Sequence, residues 1–404
     1  MSAPLRRCDV AVIGGGSAGL AAALTAARRG ARTVLIEEQG FAGGMGTASL
    51  VHSFCGLYLL RRDPGAVLAN PGFCGEIERL MMAATGMGPQ RHGRVDVLPQ
   101  HPVEFARIAD SLLRAEESLE CLFHTRLIEV SRESDGWSLR LSTRGGEMSL
   151  NAGVLVDASG DAVVAGLSGD GFAIAPAARL QRPAYVFGVQ CGADLDDPGR
   201  LRTAGSLVEG VRAGSVGAEA LGLSFRASGR EGEVFGTLDL SGGAEEFDPL
   251  DPRCLTNLEM TGRRVAAEAV AWLAAREEAW RGAYVRHWPA RAGIRESRRW
   301  VGEHVLTEAE LSEGRRFDDE IALATWPMEL RETAKGPRLR FPQDDRPCGI
   351  PLRCLMPQGM ERIFVAGRCI SADHGAQASI RVMGTCFATG EAAGKAAAEC
   401  AGVC

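Results

Sequence analysis

The sequence predicts an α/β protein with a parallel sheet, interrupted by an inserted second unit of α+β type. Two observations favour this class. Within residues 8–38, an apolar strand, a glycine-rich turn, an Ala-rich helix and a second apolar strand follow one another. Near the C-terminus, a short apolar run ends at Gly367 and a helix of small residues follows after a polar loop. The long block between these units carries no such motif, so we expect the sheet domain to be discontinuous.

The N-terminal turn has the pattern GxGxxG, formed by Gly14, Gly16 and Gly19. Gly14 permits a tight turn after the strand, and Gly16 lets backbone N–H groups approach a pyrophosphate. Gly19 lets the helix pack closely on the strand. The helix begins at Ser17 and Ala18, where unpaired N–H groups favour phosphate. This context predicts a bound dinucleotide; a glycine-rich turn in an unrelated sheet is the alternative.

An acidic pair and a second glycine-rich loop follow the second strand. Glu37 lies 18 residues after Gly19, where a carboxylate can accept hydrogen bonds from ribose hydroxyls. Glu38 stands one residue past the buried run and is the second candidate for this contact. Residues 40–47 are expected to pass close to the same ligand, although a flexible surface loop would have a similar composition. The residues of this loop assigned to the ligand are Gly44, Met45 and Thr47.

Two later strands are expected to end at the same place. The strand at residues 154–157 runs into a turn with Gly160 and Asp161, where the sheet is expected to return beneath the dinucleotide. The strand at residues 363–366 ends at Gly367 and Arg368, and residues 368–381 are predicted to form a polar loop. We assign both turns to the cofactor site.

The chain therefore divides into three parts by sequence. Residues 1–165 and 346–404 are predicted to form the dinucleotide-binding domain, and residues 166–345 the inserted substrate or cap domain. A second GxGxxG is absent from the sequence, which argues against a dedicated NAD(P) domain.

Composition excludes several function classes. A net charge of −6 without a basic stripe argues against nucleic-acid binding. Residues 10–27 carry no charge, but the glycines and the switch from strand to helix argue against a membrane span. The first seven residues are polar, so no signal peptide is predicted. Twelve cysteines without a CxxC motif fit a reducing cytoplasm and predict no metal site.

Several stretches resemble the FAD-dependent oxidoreductases of the glutathione-reductase-like class, and within it a subfamily loosely related to fumarate reductase flavoproteins. They cover most of the chain and are residues 12–23, 40–48, 156–162, 293–302, 349–359 and 365–383. The resemblance implies a Rossmann-like domain that binds FAD rather than NAD. It implies that Gly14, Gly16, Gly19 and Glu37 hold the ADP half. Gly367–Arg368 replaces the Gly–Asp of many related enzymes, which suits this subfamily and not the aromatic hydroxylases.

The resemblance places the helix that begins near Val382 beside the isoalloxazine ring, with Ile380 just before it. Its N-terminus would stabilise negative charge on the flavin, and Arg381 could add a cation or serve as a salt-bridged structural residue. For the base, His374 is the first candidate and His52 the second, because imidazole titrates in a suitable range. A histidine that only anchors the loop is the alternative for His374.

Substrate contacts are expected from Arg295 and Tyr58. Arg295 belongs to a basic cluster that could clamp a carboxylate, although Glu296 allows an internal ion-pair network instead. Tyr58 lies in an apolar segment expected to wall the pocket.

These features predict a dehydrogenase or oxidase that takes a hydride from a small organic metabolite to flavin N5. The electrons would then pass to oxygen or another external acceptor. An NAD(P)H-requiring flavin monooxygenase and a non-catalytic FAD-containing binding protein are the alternatives.

Overall fold

A computed structural model describes residues 6–63, 65–169, 171–193, 195–240, 247–333 and 336–403. Its strands are, in chain order, β1 (Arg6–Ile13), β2 (Thr33–Ile36), β3 (Ser53–Phe54), β4 (Gln90–His92), β5 (Val95–Pro99), β6 (Leu119–Leu122), β7 (Arg126–Glu133), β8 (Gly136–Thr143), β9 (Gly146–Asp157), β10 (Phe172–Ala173), β11 (Ala184–Gln190), β12 (Ser224–Ala227), β13 (Glu233–Asp239), β14 (Tyr284–His287), β15 (Arg299–Trp300), β16 (Glu320–Ala324), β17 (Met328–Leu330), β18 (Arg338–Arg340), β19 (Cys348–Pro351) and β20 (Ile363–Val365). Its α-helices are α1 (Ser17–Arg28), α2 (Phe73–Thr85), α3 (Pro102–Arg114), α4 (Val163–Ser168), α5 (Asp197–Arg212), α6 (Pro252–Arg276), α7 (Glu308–Glu313), α8 (His374–Ile380) and α9 (Met383–Cys400). Within these ranges, no helix has the length and apolar character needed to cross a membrane.

The largest sheet has a parallel centre in the order β6–β2–β1–β9–β20, which confirms the predicted α/β class. An antiparallel extension, β9–β8–β7, continues it from the first half of β9. Ile13 at the end of β1 and Val365 at the end of β20 both pair with Asp157 at the end of β9. Because these parallel strands end at one edge, the three turns that follow them converge there.

Helix α9 joins the last part of the chain to the first by packing on α1. A Cβ atom built on Gly390 would lie 2.1 Å from the Ala18 carbonyl oxygen, and one on Gly394 would lie 2.3 Å from that of Ala22. The two backbones therefore approach to a distance that only glycine allows. Residues from both ends of the chain share one hydrophobic core, as a discontinuous domain requires.

The inserted part has its own sheet and its own core. An antiparallel sheet in the order β12–β13–β11–β14 packs against α6, and α5 packs against α6 in turn. The apolar residues of this second core fall between Ala175 and Ala292, whereas Trp300 and Leu306 pack in the larger core. We therefore propose an inserted unit that begins near residue 166, with its own core ending near residue 295 rather than 345.

The segment 368–381 differs from its predicted loop conformation. Helix α8 occupies half of it, and the Asp373 carboxylate caps the helix by accepting the Ala376 N–H at 2.7 Å. Every residue of α8 is buried, including its polar ones. Gln377 donates to the Arg295 carbonyl at 2.8 Å, and Ser379 donates to the Trp326 carbonyl at 2.5 Å. Partners distant in the chain thus make a polar segment part of the interior.

Candidate active site

One cavity brings together most of the residues assigned to a site from the sequence. One end is walled by the turns after β1, β9 and β20 and by the second glycine-rich loop. The other end is walled by residues of the inserted unit, by the segment 329–331 and by the start of α9. The predicted site residues that line it are Gly14, Gly16, Ser17, Ala18, Glu37, Gly44, Met45, His52, Gly160, Asp161, Arg295, Gly367, Arg368, Arg381 and Val382.

The glycine turn forms a cradle with little side-chain bulk. Gly14 has φ +93°, and a Cβ atom there would lie 2.8 Å from the Ala158 carbonyl oxygen. At Gly19 it would lie 1.7 Å from the Gly14 carbonyl oxygen, so this glycine is required by helix packing. At Gly16 it would meet only Gly44 Cα, at 3.9 Å, among the described residues. Gly16 therefore leaves open space on the cavity wall, as a phosphate-binding turn requires.

The second glycine-rich loop is fastened to the first. The Gly43 N–H donates to the Gly15 carbonyl at 2.8 Å, which sets the two loops side by side. Thr47 does not line the cavity; its hydroxyl donates to the Ala42 carbonyl at 2.9 Å and so holds the loop in shape. Gly19 and Ile380 also lie behind the wall rather than on it.

Glu37 is a buried carboxylate at the end of β2, on the cavity wall. One oxygen accepts the Gly15 N–H at 2.6 Å, and the other accepts the Gln39 N–H at 2.8 Å. Each carboxylate oxygen has two lone pairs, so acceptor capacity remains for a ligand hydroxyl. Glu38 points elsewhere and lies 3.4 Å from Arg291. The arrangement favours Glu37 over Glu38 as the ribose acceptor.

Asp161 and Arg368 form an ion pair on the same wall. Arg368 Nη2 lies 2.7 Å from Asp161 Oδ1, and Arg368 Nη1 donates to Ser297 Oγ at 3.0 Å. Burial alone would raise the pKa of Asp161, but Arg368 and the Ser297 hydroxyl hold it below its usual range. The arginine that replaces the usual aspartate thus has its own carboxylate partner, supplied by the turn after β9.

Comparison with known families identifies the chain. A model of the family described as FAD dependent oxidoreductase matches residues 9–402. The chain belongs to this family. FAD is accordingly its cofactor, and the protein is an oxidoreductase.

Several solved structures are similar to this chain at low sequence identity. A geranylgeranyl bacteriochlorophyll reductase-like protein from Thermoplasma acidophilum superposes with a TM-score of 0.50 at 12% identity, covering 98% of this chain and 79% of that one. The p-nitrophenol 4-monooxygenase PnpA from Pseudomonas putida has a TM-score of 0.42 at 14% identity, with 74% and 70% covered. The probable FAD-dependent monooxygenase pqsL from Pseudomonas aeruginosa has a TM-score of 0.43 at 17% identity. The match covers 97% of this chain and 86% of that one. Curated proteins yielded no match.

The cavity fits the ADP half of FAD on structural grounds. The open backbone at Gly16, the buried acceptor Glu37 and the start of α1 supply the contacts that a pyrophosphate and a ribose need. Gly44 and Met45 face the same end of the cavity, and the Asp161–Arg368 pair forms part of the wall beyond them. These residues would hold the cofactor.

The two candidate bases occupy different environments. His52 lines the cavity and stacks on Phe235 with ring centroids 5.0 Å apart, and burial lowers its pKa to about 4. His374 is absent from the wall; its ring nitrogens lie 3.0 Å from Glu296 and 3.1 Å from Glu332. Burial opposes the charge of His374, but the two carboxylates raise its pKa above the usual value. His52 is therefore neutral at pH 7, whereas His374 favours the charged form.

Tyr58 lies away from the cavity. Its hydroxyl donates to Glu78 at 2.7 Å, and burial together with that carboxylate raises its pKa. The expected contact between Tyr58 and the substrate has no support in this geometry, because the apolar segment that carries the side chain packs in the larger core.

Several charged residues at the end of the cavity next to the inserted unit were not predicted from the sequence. Arg331 and Glu329 line the cavity, and Asp239 bridges Arg331 to Arg295 from behind. The acidic and basic side chains of the segment 326–332 were the available signal. Asp239, the carboxylate that pairs with Arg331, lies on β13, about ninety residues earlier in the chain.

Proposed function

We propose that the protein is an FAD-dependent dehydrogenase or oxidase that takes a hydride from a small organic metabolite. The electrons would pass to oxygen or another external acceptor. One observation carries the proposal: the cavity that begins at the glycine cradle continues to a part walled by His52, Arg381 and the start of α9. A cofactor held by its ADP half at the cradle therefore has space for its reactive ring where charged and titratable side chains meet.

Hydride acceptance at N5, with negative charge developing at N1 and the C2 carbonyl, is the chemistry that FAD supplies when bound. The chain offers two groups that favour negative charge in this part of the cavity. Helix α9 begins at Met383, and its N-cap Val382 has no capping side chain. The positive end of the helix dipole therefore faces the wall that Val382 and Met383 form. Arg381, next to it, adds a cation.

His52 is the base that this arrangement favours. Its Nδ1 lies 3.4 Å from the Leu50 carbonyl oxygen, which suits a tautomer with the proton on Nδ1. The Nε2 atom is then free to accept a proton from the substrate. Glu329, which lines the same cavity, is a poor base: burial opposes its charge, but Arg331 and Arg381 hold its pKa at about 2.

His374 takes a positioning role in this proposal. As an imidazolium between Glu296 and Glu332, it ties the N-terminus of α8 to two segments of the chain. Arg381 follows directly after α8, so the placement of the helix sets the position of its guanidinium.

We further propose a cytoplasmic location, with a small-molecule substrate and an external electron acceptor as partners. The cysteines of the described residues are free thiols, which suits a reducing compartment.

The test is an anaerobic reduction experiment on the purified FAD-loaded protein. Flavin bleaching by one class of metabolite, reversed by oxygen or an artificial acceptor, is the expected result. Bleaching by NADPH followed by oxygen insertion into a substrate would support the monooxygenase alternative. An FAD-loaded protein that neither a metabolite panel nor NADPH reduces would refute the catalytic proposal and favour a binding protein.

A further inference from the structure

Three arginines line the end of the cavity next to the inserted unit: Arg295, Arg331 and Arg381. Arg295 Nη2 lies 2.8 Å from Asp239 Oδ1, and Arg331 contacts the other oxygen of the same carboxylate. Arg331 Nε also lies 2.6 Å from Glu329 Oε1. The second oxygen of Glu329 accepts the Trp326 indole N–H at 3.0 Å. Asp239 is therefore ion-paired with Arg295 and Arg331, and Glu329 with Arg331, while the Trp326 indole holds the second oxygen of Glu329.

Arg381 lacks an equivalent partner. Within the described part of the chain, its Nη2 donates only to the main-chain carbonyl of Glu329, at 3.3 Å. Its Nε atom is buried without a hydrogen-bond partner among the described residues. Burial lowers the pKa of Arg381 and also that of Arg295, and repulsion from the neighbouring guanidinium groups adds to both effects.

The charges of this cluster leave one positive charge in excess. Three guanidinium groups face the two carboxylates Asp239 and Glu329. The nearest further titratable groups on the wall add no negative charge, because His52 is neutral and burial raises the pKa of the Cys55 thiol to about 12. Glu296, behind the wall, is already paired with Arg299 and His374. A buried unpaired cation is costly, so an anion is the ligand that this site favours.

The rest of the wall restricts the kind of anion. Ala184, Val186, Ala292 and Ile294 give the inserted end an apolar surface beside the arginines. A guanidinium presents a planar fork that matches a carboxylate. A single excess charge balances a carboxylate, whereas a phosphate monoester carries about −1.5 to −2. The arrangement favours a monocarboxylate with a compact apolar body.

We propose that the substrate is a small monocarboxylate whose carboxylate group binds Arg381, with its apolar body against the wall of the inserted unit. Arg331 and Arg295, held by Asp239 and Glu329, keep the positive charge of the site in place. The inference rests on the proposed function and names the substrate class of that same site.

The experiment titrates the FAD-loaded protein with acetate, 2-methylpropanoate and benzoate, and with the three corresponding amides, while the flavin absorbance is recorded. Three sizes are used so that a steric mismatch of one acid is not mistaken for a lack of carboxylate binding. Inorganic phosphate is the control for a nonspecific anion. We expect at least one carboxylate to give a saturable spectral change, at roughly 10- to 100-fold higher affinity than its amide.

Arg381→Met is expected to weaken carboxylate binding by a similar factor and to leave amide binding unchanged. Arg381→Lys keeps a charge and should retain part of the preference for the carboxylate. The matched control is Arg226→Met, which removes an exposed charge close to His52 but outside the cavity wall. It should bind carboxylates as the parent protein does. Circular dichroism and FAD content establish that each variant is folded and loaded.

Three results of the titration would each overturn the proposal: equal binding of carboxylates and amides, no binding of any of the three acids, or tighter binding of phosphate than of any acid. An unchanged carboxylate affinity in Arg381→Met, with weaker FAD binding, would instead assign Arg381 to the cofactor. A protein that only neutral metabolites reduce would refute the carboxylate proposal but would still support the oxidoreductase function. A protein that no metabolite reduces would refute both.

Discussion

Replacing Gly16 by alanine should weaken FAD binding without destabilising the fold. Gly16 has φ −67° and ψ −173°, which alanine adopts without strain. The added Cβ atom would meet only Gly44 Cα, at 3.9 Å, among the described residues. The free energy of unfolding of the apoprotein should therefore change little, or rise by about 0.4–1 kcal/mol because the unfolded chain loses freedom.

The same methyl group would stand on the cavity wall where a pyrophosphate needs to approach the backbone. Loss of one or two hydrogen bonds to a charged group costs about 1.5–3 kcal/mol each, so the Kd for FAD should rise at least tenfold. The assay is a titration of the apoprotein with FAD, followed by quenching of flavin fluorescence, together with thermal unfolding of the apoprotein followed by circular dichroism.

Gly19→Ala is the matched comparison. Its Cβ atom would lie 1.7 Å from the Gly14 carbonyl oxygen, so α1 must shift away from β1. We expect a loss of more than about 2 kcal/mol in the free energy of unfolding. If Gly16→Ala bound FAD as tightly as the parent protein, the assignment of the cradle to the pyrophosphate would be refuted. If it unfolded like Gly19→Ala, the open-space argument would fail.

Further predictions concern the charged groups around the cavity. His374→Gln should lower the free energy of unfolding by about 1–3 kcal/mol near pH 6. The loss should shrink at higher pH. The pKa of His374 is higher in the folded than in the unfolded protein, so its protonation stabilises the fold fully below the unfolded pKa of about 6.5. This stabilisation is lost as the pH rises through the folded pKa. Urea unfolding at several pH values measures it, with the exposed His92→Gln as control; a pH-independent loss would contradict the imidazolium assignment. His52→Gln should slow anaerobic flavin reduction by the substrate about 10²- to 10⁴-fold, and the parent rate should stay level from about pH 6 to pH 8, because the pKa of His52 is about 4. Stopped-flow absorbance tests this, and a wild-type rate would exclude His52 as the base. Arg368→Met should lower the free energy of unfolding by about 1–3 kcal/mol, because it leaves Asp161 without its ion-pair partner. Adding Asp161→Asn should restore part of this loss, measured by urea unfolding. A double variant that is no more stable than Arg368→Met would argue against the pair.

The N-terminal unit could be predicted from sequence because its determinants are local. The apolar run before Gly14, the glycine spacing and the acid at Glu37 lie within thirty residues. The structure places them on one strand, on the turn and helix that follow it, and directly after the next strand. The same holds for α9, whose small residues indicate close packing before its partner α1 is known. Family membership follows from such stretches, and with it the FAD cofactor.

The substrate end of the cavity could not be predicted in the same way. His374 and Arg381 stand seven residues apart, yet His374 faces two glutamates 78 and 42 residues away, whereas Arg381 reaches the cavity. Sequence alone could not distinguish a base from a positioning residue here, because burial and the pairing of charges set which protonation state a histidine favours.

The sequence by itself determined the sheet and the glycine cradle, since these depend on periodicity and on the conformational freedom of glycine, and the resemblance of its motifs to a known family implied FAD. Only the tertiary structure decided that Arg295, Arg331 and Arg381 meet at one wall and that two carboxylates leave one of the three unpaired. The physical reason is that a charge is compensated through space by whichever segments the fold brings together, and the spacing along the chain carries no record of that balance.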